Sequence, residues 1–289
     1  MMGGTLLVEA AGPSATVQDL GRPGAASLGV GTSGTLDRGA LRLANRLVGN
    51  PEGRAGLEIV LGPFAAVPDV DLWVAVTGAW GPITVDGRPV DGHRAVLVPA
   101  GSRLQLGAAT HGLRSLLAVR GGFDGPQLLG SRSTDTLAGL GPEPVATGDR
   151  LAVLPTPRRR IPVLDIAPWT RPDAGERLVR ITPGPRADWF DDDSRLRLLE
   201  QPWTVTADAD RIGMRLDGTP LQRRDPGREL PSEGMVAGAV QVPPSGLPTI
   251  LLADHPVTGG YPVIAVVRPT DRDLLAQLRP GQRVRFSRT

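Results

Sequence analysis

The sequence predicts a mainly β protein with few helices. Three observations point there. Glycine and proline are abundant, 38 and 29 of 289 residues, and they punctuate short apolar stretches in the manner of strands joined by tight turns. Those stretches alternate in polarity, as in Leu72 to Thr77 (LWVAVT), Ile83 to Val85, Arg88 to Val90 and Ala95 to Val98. Only two segments carry a clear helical period.

Taken in chain order, the first helix is predicted over residues 37–49. Ala40, Leu43, Ala44, Leu47 and Val48 share one face, Asp37 suits the N-cap and Gly49 the C-terminal turn. Asp86-Gly87 between two alternating runs predicts a two-residue hairpin turn, because both central positions need positive φ. A short pattern occurs three times: Gly101-Ser-Arg-Leu-Gln-Leu, Gly148-Asp-Arg-Leu-Ala-Val and Gly281-Gln-Arg-Val-Arg-Phe. Each reads as a glycine turn feeding a strand with its Leu, Val or Phe inward. Generic turn-strand units and true duplication explain the recurrence equally well. Residues 186–200 mix Trp189 and Phe190 with three consecutive Asp, so a short helix is expected to start there, its aromatics plugging the second domain. Asp191, Asp192 and Asp193 point in different directions on a helix and cannot share a metal. The second periodic helix spans 271–279, follows Thr270 as a capping-box variant with Asp273, and stops at Pro280-Gly281.

A chain of this length exceeds one average domain. The Pro- and Arg-rich stretch from Pro155 to Pro172 lacks a period and marks the boundary, so the expected division is a domain at 1–155, a linker at 156–174 and a domain at 175–289. The Arg158-Arg159-Arg160 run within it is read as solvated linker.

Composition removes several classes of chemistry. All 32 basic residues are arginine, and there is neither Lys nor Cys. Thiol catalysis, disulfides, Cys-ligated zinc, a Schiff-base lysine, a Walker A lysine and covalent biotin on this chain are thereby excluded. The three histidines, His93, His111 and His255, form no H-E-x-x-H pattern, so no metal site is expected. The sequence pI of ≈ 10.1 arises because almost nothing titrates between His and Arg; the formal net charge is only +2. With aromatics at 3% and arginines scattered among acids, nucleic-acid binding is not expected. No apolar run is long enough to cross a bilayer, and the start, MMGGTLLVEA, lacks the regions of a signal peptide, so a cytoplasmic, membrane-free protein is expected.

Gly29-Val-Gly-Thr-Ser-Gly34 matches G-x-G-x-x-G but lacks the preceding buried strand, so it is no dinucleotide fingerprint. A glycine loop before Asp37 would also suit an anion at the helix N-terminus, with Asp37 as an ordinary cap the competing reading. In Thr16 to Gly24 (TVQDLGRPG), Gln18, Asp19 and Arg22 gather in a turn without apolar period; Arg22 there would meet a carboxylate, and a structural role for Asp19 and Arg22 stays open. Arg120, Gly121, Gly122, Arg132 and Ser133 lie beyond the strand Leu116 to Val119 and supply arginine, hydroxyl and glycine groups of the kind a phosphate or carboxylate pocket needs. Glu233, Gln241, Asp254, Thr258, Gly259 and Tyr261 follow one another around the strand Thr249 to Leu252. Asp254 is expected in the pocket, with the adjacent His255 holding the loop.

The stretches TVQDLGRPG, LDRGALRLANRLVGNPEGRAGLE, LAVRGGFDGPQLLGSRSTD, SEGMVAGAVQVPPSG and LLADHPVTGGYP together resemble, in order and spacing, the family called allophanate hydrolase subunit 2, also the Kip-type kinase-inhibitor antagonist. The likeness runs over nearly the whole chain. It implies two cyclophilin-like β-barrel domains related to the carboxyltransferase half of urea carboxylase. It also implies a role as the C component of an ATP-dependent 5-oxoprolinase, which opens 5-oxo-L-proline to L-glutamate. Its companions there would be a B component of the Kip-inhibitor type (allophanate hydrolase subunit 1) and a separate A component. In that setting ATP is bound with a companion chain. Arg22, Arg120 and Arg132 with the glycine N–H groups would hold developing phosphate charge, Gln18, Ser133 and Gln241 would bond the ring, and Asp254 or Glu233 would orient water, while Asn45, Asn50 and Glu58 would hold the glycine loop. Pro256, Val257 and Thr258 stand where many members carry Gln-Thr-Thr. Two other activities fit such a family: carboxyl transfer from biotin carried elsewhere, and non-catalytic binding of a kinase inhibitor.

Overall fold

The computed structural model describes residues 3–163 and 167–288. The chain forms two compact units. Unit 1 comprises Met1–Arg22, Ser33–Asp135 and Gly139–Pro172, and unit 2 comprises Pro23–Thr32, Thr136–Ala138 and Asp173–Thr289. Strands dominate both, as the turn-punctuated sequence requires.

Unit 1 contains β1 (Thr5–Ala10), β2 (Ser14–Gln18), α1 (Arg38–Leu47), β3 (Gly56–Val60), β4 (Phe64–Pro68), β5 (Leu72–Trp80), β6 (Ile83–Val85), β7 (Arg88–Pro89), β8 (Val96–Val98), β9 (Leu104–Leu106), β10 (His111–Val119) and β11 (Arg150–Ala152). They make a six-stranded sheet ordered β11-β1-β4-β9-β6-β7 and a five-stranded sheet ordered β2-β3-β10-β5-β8. Strands of both sheets contribute to one apolar core, with Leu6, Val8, Phe64 and Leu104 from the first and Val17, Ile59, Val74, Leu117 and Val119 from the second. Each large aliphatic or aromatic side chain so buried contributes roughly 1.5–3 kcal/mol. The opposite face of the five-stranded sheet takes α1. Ala44, Leu47 and Val48 meet Ala75 and Ala118, and Ala40 and Leu41 meet Leu116. The small alanines let the helix come close, and Thr77 Oγ1 donates to Ala40 O at 2.7 Å. As the sequence predicts, Asp37 caps this helix, its Oδ1 accepting from Ala40 N–H at 2.9 Å. The cap reading of Asp37 therefore wins over the anion reading. The Asp86-Gly87 hairpin also forms, with φ of 49° and 74°.

Of the segment expected to link two domains, the described residues 156–163 and 167–172 group with unit 1, and residues 164–166 lie outside the described residues. Ala167 N–H bonds His93 O at 2.9 Å, Trp169 stacks on His93 with centroids 5.8 Å apart, and Arg120 holds the carbonyls of Pro157 and Arg159. Proline removes donors and helical period but not packing surface, so the aperiodic sequence hid a strapped segment.

Unit 2 contains β12 (Arg177–Pro183), α2 (Asp192–Glu200), β13 (Trp203–Val205), β14 (Gly213–Asp217), β15 (Glu233–Gly234), β16 (Ala239–Gln241), β17 (Thr249–Leu251), β18 (Thr258–Gly259), β19 (Val263–Val267), α3 (Arg272–Leu275) and β20 (Arg283–Arg288). Seven strands close a barrel in the order β12-β19-β16-β17-β14-β13-β20, sealed by the parallel pairing of β12 with β20. Closure removes the sheet edges that an open sheet would expose. Barrel closure was expected of both domains; in unit 1 the strands divide instead between the two sheets. Trp203, Val240, Ile250 and Val284 are fully buried. Trp189 and Phe190 are buried as expected, and α2 then runs on from its cap, Asp191 Oδ1 accepting from Ser194 N–H at 2.7 Å. The helix expected over 271–279 is shorter: only Arg272–Leu275 is α-helical. Thr270, expected at the N-cap, lies inside a 3-10 segment, Pro269–Asp271, and Asp271 beside it is engaged by Arg180.

Candidate functional site

The predicted polar loops of unit 1 do meet. On the α1 side of the five-stranded sheet, register places Thr16 opposite Glu58, Glu58 opposite Leu116 and Leu116 opposite Thr77. Residues two apart on a strand share a face, so Gln18 and Arg114 lie on this side too. Every one of these residues is buried. The cover over β2 is the loop around Ser131 to Asp135, whose Thr134 N–H bonds Val17 O at 2.9 Å.

Asp19 organises that loop. Its Oδ1 accepts from Ser131 Oγ (2.7 Å), Ser133 Oγ (2.6 Å) and Gly21 N–H (2.7 Å), and its Oδ2 from Arg132 N–H (2.7 Å). Ser133 Oγ in turn accepts from Asp19 N–H at 3.1 Å. Asp19 and Ser133 thus hold each other and the backbone, so Ser133, expected to bond a substrate ring, is instead internal to the loop. Arg132 reaches Asp124 at 3.1 Å, with its Nε buried and unpartnered. Arg22 is closed from solvent; its Nη2 donates to Ser133 O, and Nη1 lies 3.8 Å from Asp135. Gln18 donates to Thr134 O (2.9 Å) and Thr16 Oγ1 (3.1 Å). Beside them Glu58 accepts from Thr35 Oγ1 (2.9 Å) and Leu36 N–H (2.8 Å) and pairs with Arg114 at 3.4 Å. The resemblance implied such a holding role for Glu58.

Arg120, Gly121 and Gly122 do not form an anion cradle. Arg120 donates to the carbonyls of Val48, Pro157 and Arg159 at 2.8, 3.1 and 2.5 Å. Gly121 N–H is taken by Asn50 Oδ1 (2.8 Å) and Gly122 N–H by Val119 O (2.9 Å). Glycine is required at 121 because φ is 104° and a Cβ would sit 2.1 Å from Leu154 O. The glycine pair serves a tight backbone crossing, which no short sequence window can distinguish from a ligand loop.

In unit 2, Asp254 is 1% exposed and both oxygens are engaged. Arg211 Nε and Nη2 donate to Oδ2 and Oδ1 at 2.8 and 3.0 Å, and Thr136 donates to Oδ2 from N–H (3.0 Å) and Oγ1 (2.8 Å). A carboxylate so saturated holds a loop; it is not placed to orient water. Glu233 is bonded by Arg186 through Nε at 3.1 Å and through Nη2, so it too enters as half of an ion pair. Its strand β15 pairs with β18 in a separate ribbon, Glu233 opposite Gly259 and Gly234 opposite Thr258. Gln241 Nε2 makes two contacts of 3.3 Å, to Met235 Sδ and Tyr261 O, and a Cβ at Gly259 would lie 2.9 Å from it. Thr258 and Tyr261 are exposed. His255 bonds Pro256 O through Nδ1 at 2.8 Å, the loop-holding role expected of it.

Sequence reasoning missed Arg211, Thr136, Ser131 and Arg114. Arg211 sits in a polar run, DADRIG, that looks like any solvated loop; its burial comes from tertiary packing alone. Two open grooves of unit 2, of ≈ 450 and ≈ 470 Å³, are lined by other residues, chiefly Val266 to Arg272 and Asp193 to Gln201. The described residues include no cluster of ligands able to hold a metal ion and no helix long and apolar enough to cross a membrane. What the site offers chemically is a water-poor surface rich in arginine, with unmade hydrogen bonds at Arg22 Nε and Nη1, Arg132 Nε and Gln18 Oε1.

Comparison with known proteins agrees with that architecture. Residues 28–288 match the family described as carboxyltransferase domain, subdomain A and B. The chain is 39% identical over 281 residues to the C component of 5-oxoprolinase from Escherichia coli (strain K12), covering 96% of this chain and 88% of that one. Among solved structures it is similar to TTHA0988, with a TM-score of 0.85 and 36% identity over 98% of this chain. It is also similar to the K. lactis urea amidolyase, with a TM-score of 0.92 and 28% identity over 99% of this chain. The chain spans 55% of the first solved protein and 19% of the second.

Proposed function

We propose that this chain, which belongs to the carboxyltransferase-domain family of subdomains A and B, is the C component of a cytoplasmic, ATP-dependent 5-oxoprolinase that opens 5-oxo-L-proline to L-glutamate. The observation that carries the reading is the likeness to a 5-oxoprolinase C component across almost the full length of both chains. A match confined to one shared domain would not favour one activity over another; an end-to-end match does.

Opening a lactam places negative charge on its oxygen, and donors held in a water-poor site stabilise that charge best. Unit 1 supports this with Arg22, Arg114 and Arg132 around a buried polar sheet face. The same chain is poorly suited to a triphosphate. It has no lysine, and the N–H groups of Gly21, Gly121 and Gly122 are already bonded within the protein. We therefore assign ATP to a companion chain of the Kip-inhibitor type and the lactam to the composite enzyme. Co-purified with its companions, the chain is expected to release glutamate from 5-oxo-L-proline only when ATP is present. An assembled complex that releases none, or releases it without ATP, overturns the reading.

One observation favours a second reading, the close superposition on the K. lactis urea amidolyase. There the chain would move a carboxyl group from biotin carried on another protein to a urea, since no lysine of its own can bear biotin. Turnover with a carboxylated biotin carrier and urea, in a complex inert toward 5-oxoproline, would replace the first reading with this one.

A further inference from the structure

We infer that Arg22 and Gln18 form a subsite for a small carboxylic acid whose α-nitrogen carries a single N–H as part of an amide. The two side chains share an address. Arg22 Nη2 donates to Ser133 O and Gln18 Nε2 to Thr134 O, the carbonyls of consecutive residues. Both residues are buried, with 1% and 0% of their surface exposed. Buried polar atoms in folded proteins almost always have partners, yet Arg22 Nε and Nη1 have no acceptor and Gln18 Oε1 has no donor. Asp135 stands 3.8 Å from Nη1, near enough to balance charge and too far to accept a hydrogen bond.

The orientation of the Gln18 amide is set by its neighbour. Thr134 O can only accept, so the nitrogen faces it and the oxygen is the vacant atom. A guanidinium with protons to give and an amide oxygen with lone pairs to offer, held on the carbonyls of adjacent residues, complement a carboxylate and an N–H carried close together. In a lactam acid these two groups are attached to the same α-carbon. Ureas lack the carboxylate and simple lactams lack it too. Arg22 is backed by the turn at Gly141, where φ is 85°. A Cβ at Gly141 would lie 2.1 Å from Ser133 O and 3.3 Å from Arg22 Nη2. Only glycine, lacking a Cβ, lets the turn pack this close to the arginine and to Ser133 O. The choice of a lactam acid within this class rests on the function proposed above.

The test is calorimetric titration of the assembled complex with 5-oxo-L-proline, 2-pyrrolidinone, which lacks the carboxylate, and N-methyl-5-oxo-L-proline, which lacks the N–H. The acid is expected to bind at least about tenfold more tightly than either analogue, the scale of one lost charged or buried hydrogen bond. Arg22→Gln is expected to bring the acid down to the level of 2-pyrrolidinone, and Gln18→Leu to erase the preference over the N-methyl compound. Equal affinities across the three compounds, no binding of any, or an Arg22→Gln complex that retains the full preference overturns the subsite. The wild-type ligand series decides the matter even where a variant fails to fold. Glutamate release is read in parallel. Preference without release leaves the subsite standing and removes the proposed function; release without preference does the reverse.

Discussion

Among the described residues, seventeen buried polar or charged side chains lie in unit 1 and six in unit 2. The barrel interior of unit 2 is apolar, and its ion pairs Arg211–Asp254, Arg186–Glu233 and Arg180–Asp271 tie loops and short elements to their surroundings. In unit 1, one face of a sheet is itself polar and buried, running from Thr16 and Gln18 through Glu58 to Arg114. A closed barrel has one interior, which hydrophobic residues fill. An open five-stranded sheet has two faces: here one joins the apolar core, and the other is shared between α1 and a loop of serines, threonine and aspartate. Unmade hydrogen bonds at Gln18 and Arg22 lie with this second face, whereas unit 2 has them at Thr206 and Arg223; with the larger share of buried polar side chains, unit 1 is the more specialised and the more vulnerable half.

The harshest way to break the comparison is Glu58→Ala. It leaves Arg114 buried without its carboxylate and orphans the donors of Thr35 and Leu36, a loss of about 3–5 kcal/mol. Urea denaturation should show it as a large fall in midpoint, and a loss under 1 kcal/mol would mean that the polar face does not hold unit 1.

Acid should also separate the halves. Burial between Trp80 and Trp169 pushes His93 down to about 4. Its folded value lies below its unfolded one, so the folded state binds fewer protons. The stability it contributes, on the order of 3 kcal/mol, is complete above pH 6.5 and is lost as pH falls toward 4. In unit 2, hydrogen bonds from Arg180 hold Asp271 below its ordinary value of 3.8, and that contribution disappears only as pH falls further, through the depressed value. Hydrogen exchange followed by peptide is expected to show unit 1 losing protection between pH 6.5 and 4 and the β12 region of unit 2 only below that. Simultaneous loss in both would contradict the assignment.

Two smaller changes sharpen the view of the barrel. Asp191→Ala removes the cap of α2 and should cost about 1 kcal/mol. Ile250→Val trims one methylene from the barrel core and should cost about 0.5–1.5 kcal/mol. Thermal melts would check both, and a larger penalty for either would show that the barrel tolerates less than an apolar core of this kind should.

Much of this was legible before any coordinates. Asp37 and the apolar face of α1, the Asp86-Gly87 hairpin and the buried Trp189-Phe190 pair follow from spacing and turn chemistry, which are local. The loops of the candidate site were legible as loops, and Gln18, Asp19, Arg22, Arg132 and Ser133 do assemble. The partner of each was not. Arg120 reads like an anion donor and holds three carbonyls; Asp254 reads like a pocket carboxylate that orients water and is saturated by Arg211 and Thr136; Ser133 reads like a ligand donor and props Asp19.

Residue order alone thus determined a turn-rich, strand-dominated chain without lysine or cysteine, and with it the chemistries the protein cannot perform. Tertiary structure alone decided which of its many arginines and carboxylates satisfy one another and which stay unsatisfied. The physical reason is range. Turn, cap and strand preferences act over a few neighbouring residues. A buried side chain's hydrogen bonds depend on groups more than a hundred positions away, as Gln18 and Arg22 depend on the carbonyls of Thr134 and Ser133.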